Sequence, residues 1–259
     1  MRDCTATVVE LLAVAPAMYR LTLRVGQEFV AEALPGHFVM LKTGTGHEPL
    51  LRRPFSIHRC PDGESIEILF RRIGKGTDWL ASLRRGAQVR TLGPLGKPFS
   101  LPADSDCHFC LAGGGVGLAP LPFLAEYFHG SGFRKGTVLM GFRSAADVIL
   151  TDDFHRFGYR VLIATEDGSV GHQGMITSLL PEIEFSALYA CGPMPMLKAL
   201  ALYCEERRLR MQASLETMMA CGVAACLGCA VAREDGQGYW HVCQDGPVFE
   251  REKIAWHQI

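Results

Sequence analysis

The sequence predicts a multi-domain chain of mixed β and α/β class. It should contain an N-terminal antiparallel β-barrel, a doubly wound parallel α/β domain and a small C-terminal cysteine lobe. Three observations support this order. Residues 1–100 form short alternating segments broken by turns, residues 101–212 alternate apolar runs with helical patterns, and residues 213–259 hold four closely spaced cysteines. We take these three ranges as the domains.

The composition is that of a globular protein of 259 residues, with 48% hydrophobic and 20% charged residues. The net charge of −1 argues against nucleic acid as a partner of the whole chain. Residues 1–100 nevertheless carry 14 Lys/Arg against 9 Asp/Glu. That modestly basic balance suits a bound polyphosphate.

The N-terminus lacks the pattern of a secretory signal, and no apolar run approaches the ~18 residues of a spanning helix. Ten cysteines in a chain of this length, with an ordinary apolar core, indicate reduced thiols rather than a disulfide scaffold. We therefore expect a cytoplasmic protein with no membrane contact.

The first hundred residues predict six short strands and no long helix. Turn signals such as Pro35-Gly36 and Asp62-Gly63 separate them. Strands of this length and number favour a small closed barrel. The predicted strands are Thr5–Leu12, Tyr19–Val25, His37–Lys42, Pro54–His58, Ile66–Arg71 and Gln88–Leu92.

Two segments of the barrel carry chemistry. Arg52-Arg53-Pro54-Phe55-Ser56 places a guanidinium, a flat ring and a hydroxyl along one strand, and Arg59 just beyond is expected to be solvated. Gly74-Lys-Gly76-Thr77 offers glycines and an N-cap-type threonine before a helix predicted over Asp78–Leu83, and a helix start of this kind favours phosphate. Each segment alone has an ordinary reading, since Arg pairs are usually solvated and Gly-x-Gly-Thr is usually a turn.

Residues 101–212 alternate buried strands with helices, which implies right-handed βαβ units. The first strand ends in a glycine-rich turn that enters a helix, a place where backbone N–H groups meet a pyrophosphate. The turn is not a strict G-x-G-x-x-G, because Leu118 and Pro120 occupy the positions of its third glycine. The strands are Cys107–Ala112, Thr137–Phe142, Arg160–Ala164 and Ala187–Cys191, the helices Pro120–Phe128 and Pro195–Arg207, and the turn glycines Gly113, Gly114, Gly115 and Gly117.

An acidic pair, Glu166-Asp167, follows the third of these strands. A carboxylate there accepts hydrogen bonds from ribose hydroxyls and repels a 2′-phosphate, which favours NAD over NADP. Arg143 and Ser144 after the second strand could argue for NADP.

The cysteine lobe contains Cys221, Cys226, Cys229 and Cys243 in the spacing C-x4-C-x2-C followed by a distant fourth cysteine. Four thiolates so spaced are the ligand set of a plant-type [2Fe–2S] cluster. The glycines and alanines between them let backbone N–H groups approach the sulfurs. A structural zinc site is the alternative, although zinc modules usually pair their ligands in two short knuckles.

Together, these segments resemble the ferredoxin–NADP reductase superfamily, whose flavin motif is Arg-x-(Tyr/Phe)-Ser. The resemblance implies Arg53 on the FAD pyrophosphate, Phe55 beside the isoalloxazine and Ser56 near flavin N5. It also implies a Cys-Gly-Pro signature whose cysteine lies near the nicotinamide. The further FAD contacts implied are Pro54, Leu69, Phe70, Arg71, Gly76 and Thr77, and the signature residues are Cys191, Gly192 and Pro193.

The whole chain resembles the electron-transfer subunits of NAD-dependent dihydroorotate dehydrogenase. The match spans Leu51–Ile57, Gly93–Gly96, Thr165–Gly171, Cys191–Pro193 and the cysteine lobe. It implies a flavin-containing catalytic partner, a heterotetramer of two of each subunit, and electrons passing through the [2Fe–2S] cluster and FAD to NAD+ in pyrimidine biosynthesis. No side chain need act as acid or base.

Three other functions remain open. The first is an NAD(P)H-dependent flavin and iron–sulfur reductase subunit of another complex, of sulfhydrogenase or ferredoxin–NADP oxidoreductase type. The second is a stand-alone NAD(P)H–flavin reductase that serves several acceptors. The third is a non-catalytic module in which the lobe holds zinc and only scaffolds a complex.

Overall fold

A computed structural model describes residues 1–44, 46, 48–104 and 106–259. It contains a six-stranded antiparallel sheet, a seven-stranded mainly parallel sheet and a two-stranded ribbon in the C-terminal region. The predicted fold class is confirmed. The boundaries at residues 100 and 212 stay predictions.

The antiparallel sheet is curled into a nearly closed barrel. Its order is β4-β3-β6-β1-β2-β5, and the two edge strands meet where Arg59 pairs with Glu67. There the N–H of His58 donates to the Glu67 carbonyl at 2.8 Å. The elements are β1 Arg2–Ala15, β2 Met18–Arg24, α1 Gln27–Glu32, β3 Phe38–Leu41, β4 Arg53–Ser56, β5 Ser65–Arg71, α2 Lys75–Ala81 and β6 Gln88–Leu95.

The helix predicted over Asp78–Leu83 begins three residues earlier, at Lys75. Thr77 is therefore not the N-cap residue but lies within the first turn. Its hydroxyl accepts hydrogen bonds from the N–H groups of Ile73 at 2.8 Å and Gly74 at 3.1 Å. The hydroxyl thus satisfies backbone donors ahead of the helix, which lets the helix start on glycine.

The second sheet has the order β10-β9-β8-β7-β11-β12-β15, where β15 is Val248–Glu250 from the C-terminal region. The chain builds outward from β7 on one side and then crosses to β11 on the other. Ligands of such sheets bind at the carboxyl ends of the strands where the order reverses, here between β7 and β11. The elements are β7 Phe109–Gly114, α3 Leu121–Gly130, β8 Gly136–Phe142, α4 Thr151–His155, β9 Arg160–Thr165, β10 His172–Gln173, β11 Ala187–Cys191, α5 Met194–Glu206 and β12 Arg210–Ser214.

The C-terminal region does not stand apart from this sheet. Its last strand pairs antiparallel with β12, so the nucleotide-type sheet is completed by residues beyond the cysteines. The N–H of Leu215 also donates to the Pro247 carbonyl at 2.9 Å. The elements here are β13 Ala230–Ala232, β14 Tyr239–His241, α6 Val242–Asp245 and β15 Val248–Glu250.

One buried cluster joins the three regions. It includes Phe38, Met40 and Leu95 of the barrel, Leu188 and Ala213 of the parallel sheet, and the two cysteines Cys229 and Cys243. Because these side chains share one core, the cysteine region is held against both neighbours.

Across the described part of the chain, no helix is both long enough and apolar enough to cross a membrane.

Replacing Phe249 by alanine should lower the free energy of unfolding by about 3–5 kcal/mol, the usual cost of truncating a buried Phe. Phe249 is only 2% exposed and belongs to the core that joins sheet and cysteine region. Tyr239→Ala is the matched control, because Tyr239 is 65% exposed. Thermal unfolding measures both, and an equal midpoint in the two variants would contradict the shared core.

Candidate functional site

A cavity of about 230 Å³ opens between the barrel and the parallel sheet. Consecutive residues of β4 form one wall, and the end of β5 with the first turn of α2 forms another. β4 is an edge strand, and edge strands tolerate proline because its lack of an N–H group costs no hydrogen bond on the open side. The predicted site residues found here are Pro54, Phe55, Ser56, Leu69, Phe70, Arg71 and Thr77.

The ring of Phe55 is fixed by its neighbour across the barrel seam. It meets Phe70 edge to face, with ring centroids 6.0 Å apart and planes at 69°. Phe70 in turn stacks on Tyr19 at 5.6 Å. This aromatic row holds the wall of the cavity without a ligand.

Arg53 and Gly76 do not line this cavity but lie beside it. The Arg53 guanidinium donates to the carbonyl of Leu51 at 2.9 Å. A Cβ on Gly76 would lie 2.8 Å from Thr43 Oγ1 and 3.6 Å from Arg53 Cγ. Glycine therefore lets the arginine stem pass over the start of α2, where the Thr43 hydroxyl is buried without a partner among the described residues.

The opposite wall was not predicted from the sequence. It is the segment leaving β12, with Leu215, Glu216, Thr217 and Met219. The Thr217 hydroxyl is buried and has no hydrogen-bond partner among the described residues. Glu216 is open to solvent through the cavity, yet desolvation by the surrounding protein raises the pKa of its carboxyl group. No spacing or motif marks these residues, because their role comes from the strand that precedes them.

A second cavity, of about 570 Å³, lies at the carboxyl ends of β7 and β11. The predicted residues that line it are Gly114, Gly115, Gly117, Glu166, Gly192 and Pro193, while Gly113 and Cys191 do not. Cys191 is fully buried behind the wall. A Cβ on Gly113 would meet Leu121 Cδ1 at 2.9 Å, so this glycine serves packing.

The glycine-rich turn differs from the sequence prediction. A 3-10 turn over Gly115–Leu118 intervenes before α3 begins at Leu121. A Cβ on Gly117 would collide with Gly192 and lie 2.6 Å from the Cys191 carbonyl oxygen. The turn and the Cys-Gly-Pro segment thus touch through backbone alone, which requires glycine on both sides.

Only one member of the acidic pair reaches the second cavity. Glu166 lines it, whereas the Asp167 carboxylate accepts hydrogen bonds from the Ser169 hydroxyl at 2.5 Å and N–H at 3.0 Å. These bonds lower the pKa of Asp167. Arg143 also lines the cavity. The sequence predicts that both carboxylates face the ribose. The tight turn at Gly168 instead directs the Asp167 carboxylate to Ser169, two residues along the chain.

The two cavities are adjacent, with Arg71, Val116 and Glu216 lining both. Arg71 comes from the barrel and forms an ion pair with Asp147 of the α/β domain at 2.7 Å. The arrangement can therefore hold two ligands side by side.

The cysteine loop directs backbone N–H groups at sulfur. The N–H groups of Val223 and Cys226 lie 3.4 Å from Cys221 Sγ, and that of Ala224 lies 3.1 Å from Cys243 Sγ. As free thiols the two cysteines differ: amide hydrogen bonds outweigh desolvation and lower the pKa of Cys221 to about 7, whereas burial raises the pKa of Cys243 to about 12.

The N–H of Cys226 is directed at Cys221 Sγ and that of Cys243 at Cys229 Sγ, each at 3.4 Å. Within the described ranges, no three His, Cys, Asp or Glu side chains converge on a single ion position.

Comparisons with known proteins point in one direction. A family model described as the iron–sulfur cluster binding domain of dihydroorotate dehydrogenase B matches residues 216–255. The protein named "Dihydroorotate dehydrogenase B (NAD(+)), electron transfer subunit" of Fusobacterium nucleatum is 36% identical, with 96% of each chain covered. Its namesake in Shouchella clausii is 41% identical, with 94% of each covered.

A solved structure agrees with the fold. That of an NADH-dependent reduced ferredoxin–NADP oxidoreductase is 27% identical, with a TM-score of 0.83 over 98% of this chain and 90% of the other.

Gly117→Ala should disrupt the second cavity and spare the first, because the added methyl group meets only backbone atoms that cannot turn aside. We expect dinucleotide binding to weaken by about 5- to 150-fold, which corresponds to the loss of about 1–3 kcal/mol at overpacked sites. Calorimetric titration with NADH measures it. The control is Gly130→Ala, where a Cβ meets nothing within 4 Å. Unchanged NADH affinity in Gly117→Ala would refute the role of this contact.

Proposed function

The chain belongs to the family of electron-transfer subunits of NAD-dependent dihydroorotate dehydrogenase B, and from that premise we propose that it carries electrons between a dihydroorotate-oxidising partner and NAD in pyrimidine biosynthesis. The observation that carries the proposal is that two adjacent cavities and the cysteine loop meet at one segment, residues 214–221.

FAD would occupy the first cavity. The flat wall at Phe55, the hydroxyl of Ser56 and the unpartnered hydroxyl of Thr217 suit a heteroaromatic ring with polar edges. Arg53, lying over Gly76 at the start of α2, would turn from the Leu51 carbonyl to a phosphate. When bound, FAD couples single-electron transfer to the two-electron chemistry of NAD.

NAD would occupy the second cavity. The backbone of Gly114–Gly117 offers N–H groups to a pyrophosphate, and Glu166 is placed to accept hydrogen bonds from a ribose. Cys191 would act from behind the wall by shaping it, because its side chain is buried.

A [2Fe–2S] cluster would be held by Cys221, Cys226, Cys229 and Cys243. N–H groups directed at three of the four sulfurs support a cluster over zinc, because such hydrogen bonds tune the potential of an iron–sulfur centre. The chain's part is to fix the positions of the sulfurs, and the amide hydrogen bonds to Cys221 favour the thiolate form of that residue.

The partner would be a flavin-containing dihydroorotate dehydrogenase catalytic subunit, in a heterotetramer of two of each in the cytoplasm. The cysteine loop supports a docking face: Cys226 is exposed, and around it Met218 is 90%, Leu227 59% and Val223 42% exposed. Exposed apolar side chains around a metal site favour a protein contact.

Cys226→Ser should remove or destabilise the cluster while FAD stays bound, because the barrel that would hold FAD does not use this thiol. Iron, acid-labile sulfide and flavin are measured per chain in anaerobic preparations. Cys4→Ser, at a free thiol in the barrel, is the control and should keep all three. Zinc without sulfide in the native protein would contradict the cluster assignment.

Glu166→Gln should reduce the preference for NADH over NADPH at least about tenfold, because a hydrogen bond to a charged group contributes about 1.5–3 kcal/mol. Asp167→Asn should leave the preference unchanged, since Asp167 faces Ser169. Stopped-flow flavin reduction at low NADH and NADPH gives both values. Native protein that reacts equally with the two dinucleotides would remove the role of Glu166.

The function itself is tested by co-expression with the host's dihydroorotate dehydrogenase catalytic subunit. The two should co-purify and reduce NAD+ with dihydroorotate, whereas this chain alone should pass electrons only from NADH to artificial acceptors. Failure to co-purify, with no dihydroorotate-dependent reduction, would overturn the substrate. NADH-driven reduction of another acceptor complex would then support a reductase of ferredoxin–NADP oxidoreductase type.

A further inference from the structure

The strand that forms the wall of the first cavity continues to a buried histidine. Two residues beyond Ser56, the His58 side chain is fully buried, and its Nδ1 lies 2.6 Å from the Ala119 carbonyl oxygen. Ala119 directly follows the 3-10 turn of the second cavity and itself lines the first. One side chain therefore connects the barrel strand to the glycine-rich turn.

The partner fixes the tautomer of this imidazole. A carbonyl oxygen can only accept a hydrogen bond, so Nδ1 of His58 carries the proton. The other nitrogen, Nε2, is buried with no partner among the described residues. A buried nitrogen without a partner lowers the stability of the fold. The favourable polar contact of the His58 ring is therefore the one made by its Nδ1–H group. Burial also lowers its pKa to about 4, which keeps the ring neutral.

The next residue holds the same interface at a second point. Arg59, expected to be solvated, is in fact only 8% exposed. Its guanidinium pairs with Asp153 of α4 at 2.9 Å and with Glu126 of α3 at 4.0 Å. The backbone of both residues is tied into the barrel through Glu67. The attachment is therefore rigid at the barrel end.

We propose that His58 is a positioning residue, which sets the distance between the two cavities by holding the Ala119 carbonyl through its Nδ1–H. The inference rests on the proposed function, since the ligands of the two cavities must react with each other. Reacting atoms need approach to about 3–3.5 Å, and a shift of about 1 Å can cost about 100-fold in rate. Val116, three residues before Ala119, lines both cavities and would move with the turn.

His58→Leu removes the donor at similar volume, and His58→Asn keeps one at the Nδ1 position. In the full-length protein with its cofactors, anaerobic stopped-flow should show His58→Leu lowering the limiting rate of flavin reduction at saturating NADH by about 10- to 100-fold. FAD content, iron content and the Kd for NADH should stay within about twofold, because an interaction that aligns reacting groups acts on the rate. His58→Asn should recover most of the rate.

A second readout does not depend on activity. Hydrogen exchange of the amides in residues 115–124 should be faster in His58→Leu than in the native protein, and native-like in His58→Asn. If His58→Leu fails to load FAD, His58→Gln replaces it, because its longer amide reaches the Nε2 position instead of Nδ1.

The proposal is overturned if the variant without the Nδ1 donor reduces flavin at the native rate, or if His58→Asn is as slow as that variant. Failure of the proposed function is distinguishable, because it would appear in the native protein as absence of bound flavin or of any reaction with NADH.

Discussion

The short segment from the end of β12 to Cys221 constrains everything around it. Glu216 lines both cavities, Thr217 and Met219 line the first, and Cys221 is the first thiol of the loop. The six residues from Glu216 to Cys221 span at most about 22 Å even when fully extended. The length of this segment therefore keeps the two cavities and the cysteine loop close together.

Side-chain packing also holds the cysteine loop in place. A Cβ on Gly222 would lie 2.6 Å from Met40 Cγ, so the loop rests directly on the barrel wall. From the other side, β15 returns to the parallel sheet after the last cysteine. The loop is thus fixed at both ends, while its outer face, around Met218 and Leu227, stays open for a partner. Burial toward the cavities and exposure on the far side suit a relay between two proteins.

The parts that could be predicted from the sequence are those carried by local chemistry. Local residue patterns identify three features: the strand around Phe55, the turn at Gly115 and the cysteine spacing. Edge strands, tight turns and metal ligands each require particular residues. Glu216 and His58 could not be predicted in this way. Their positions depend on contacts between distant parts of the chain, and an isolated Glu or His carries no pattern.

Some local predictions also failed for identifiable reasons. The predicted start of α2 lies three residues too late, because the Thr77 hydroxyl accepts the backbone N–H bonds from inside the first turn and not from the N-cap position. The predicted ribose contact of Asp167 is absent because the turn at Gly168 directs its carboxylate to Ser169. The prediction of a solvated Arg59 is wrong, because its side chain is buried against α3 and α4. In each case a neighbour that sequence spacing does not reveal decided the outcome.

The central claim is that electrons entering at the dinucleotide cavity reach the cysteine loop within this one chain. The direct measurement is electron paramagnetic resonance of the purified protein, mixed anaerobically with NADH and frozen at successive times. With no partner present, the flavin should bleach first, and a signal from a reduced [2Fe–2S] cluster should follow. Complete flavin reduction without any cluster signal would contradict it.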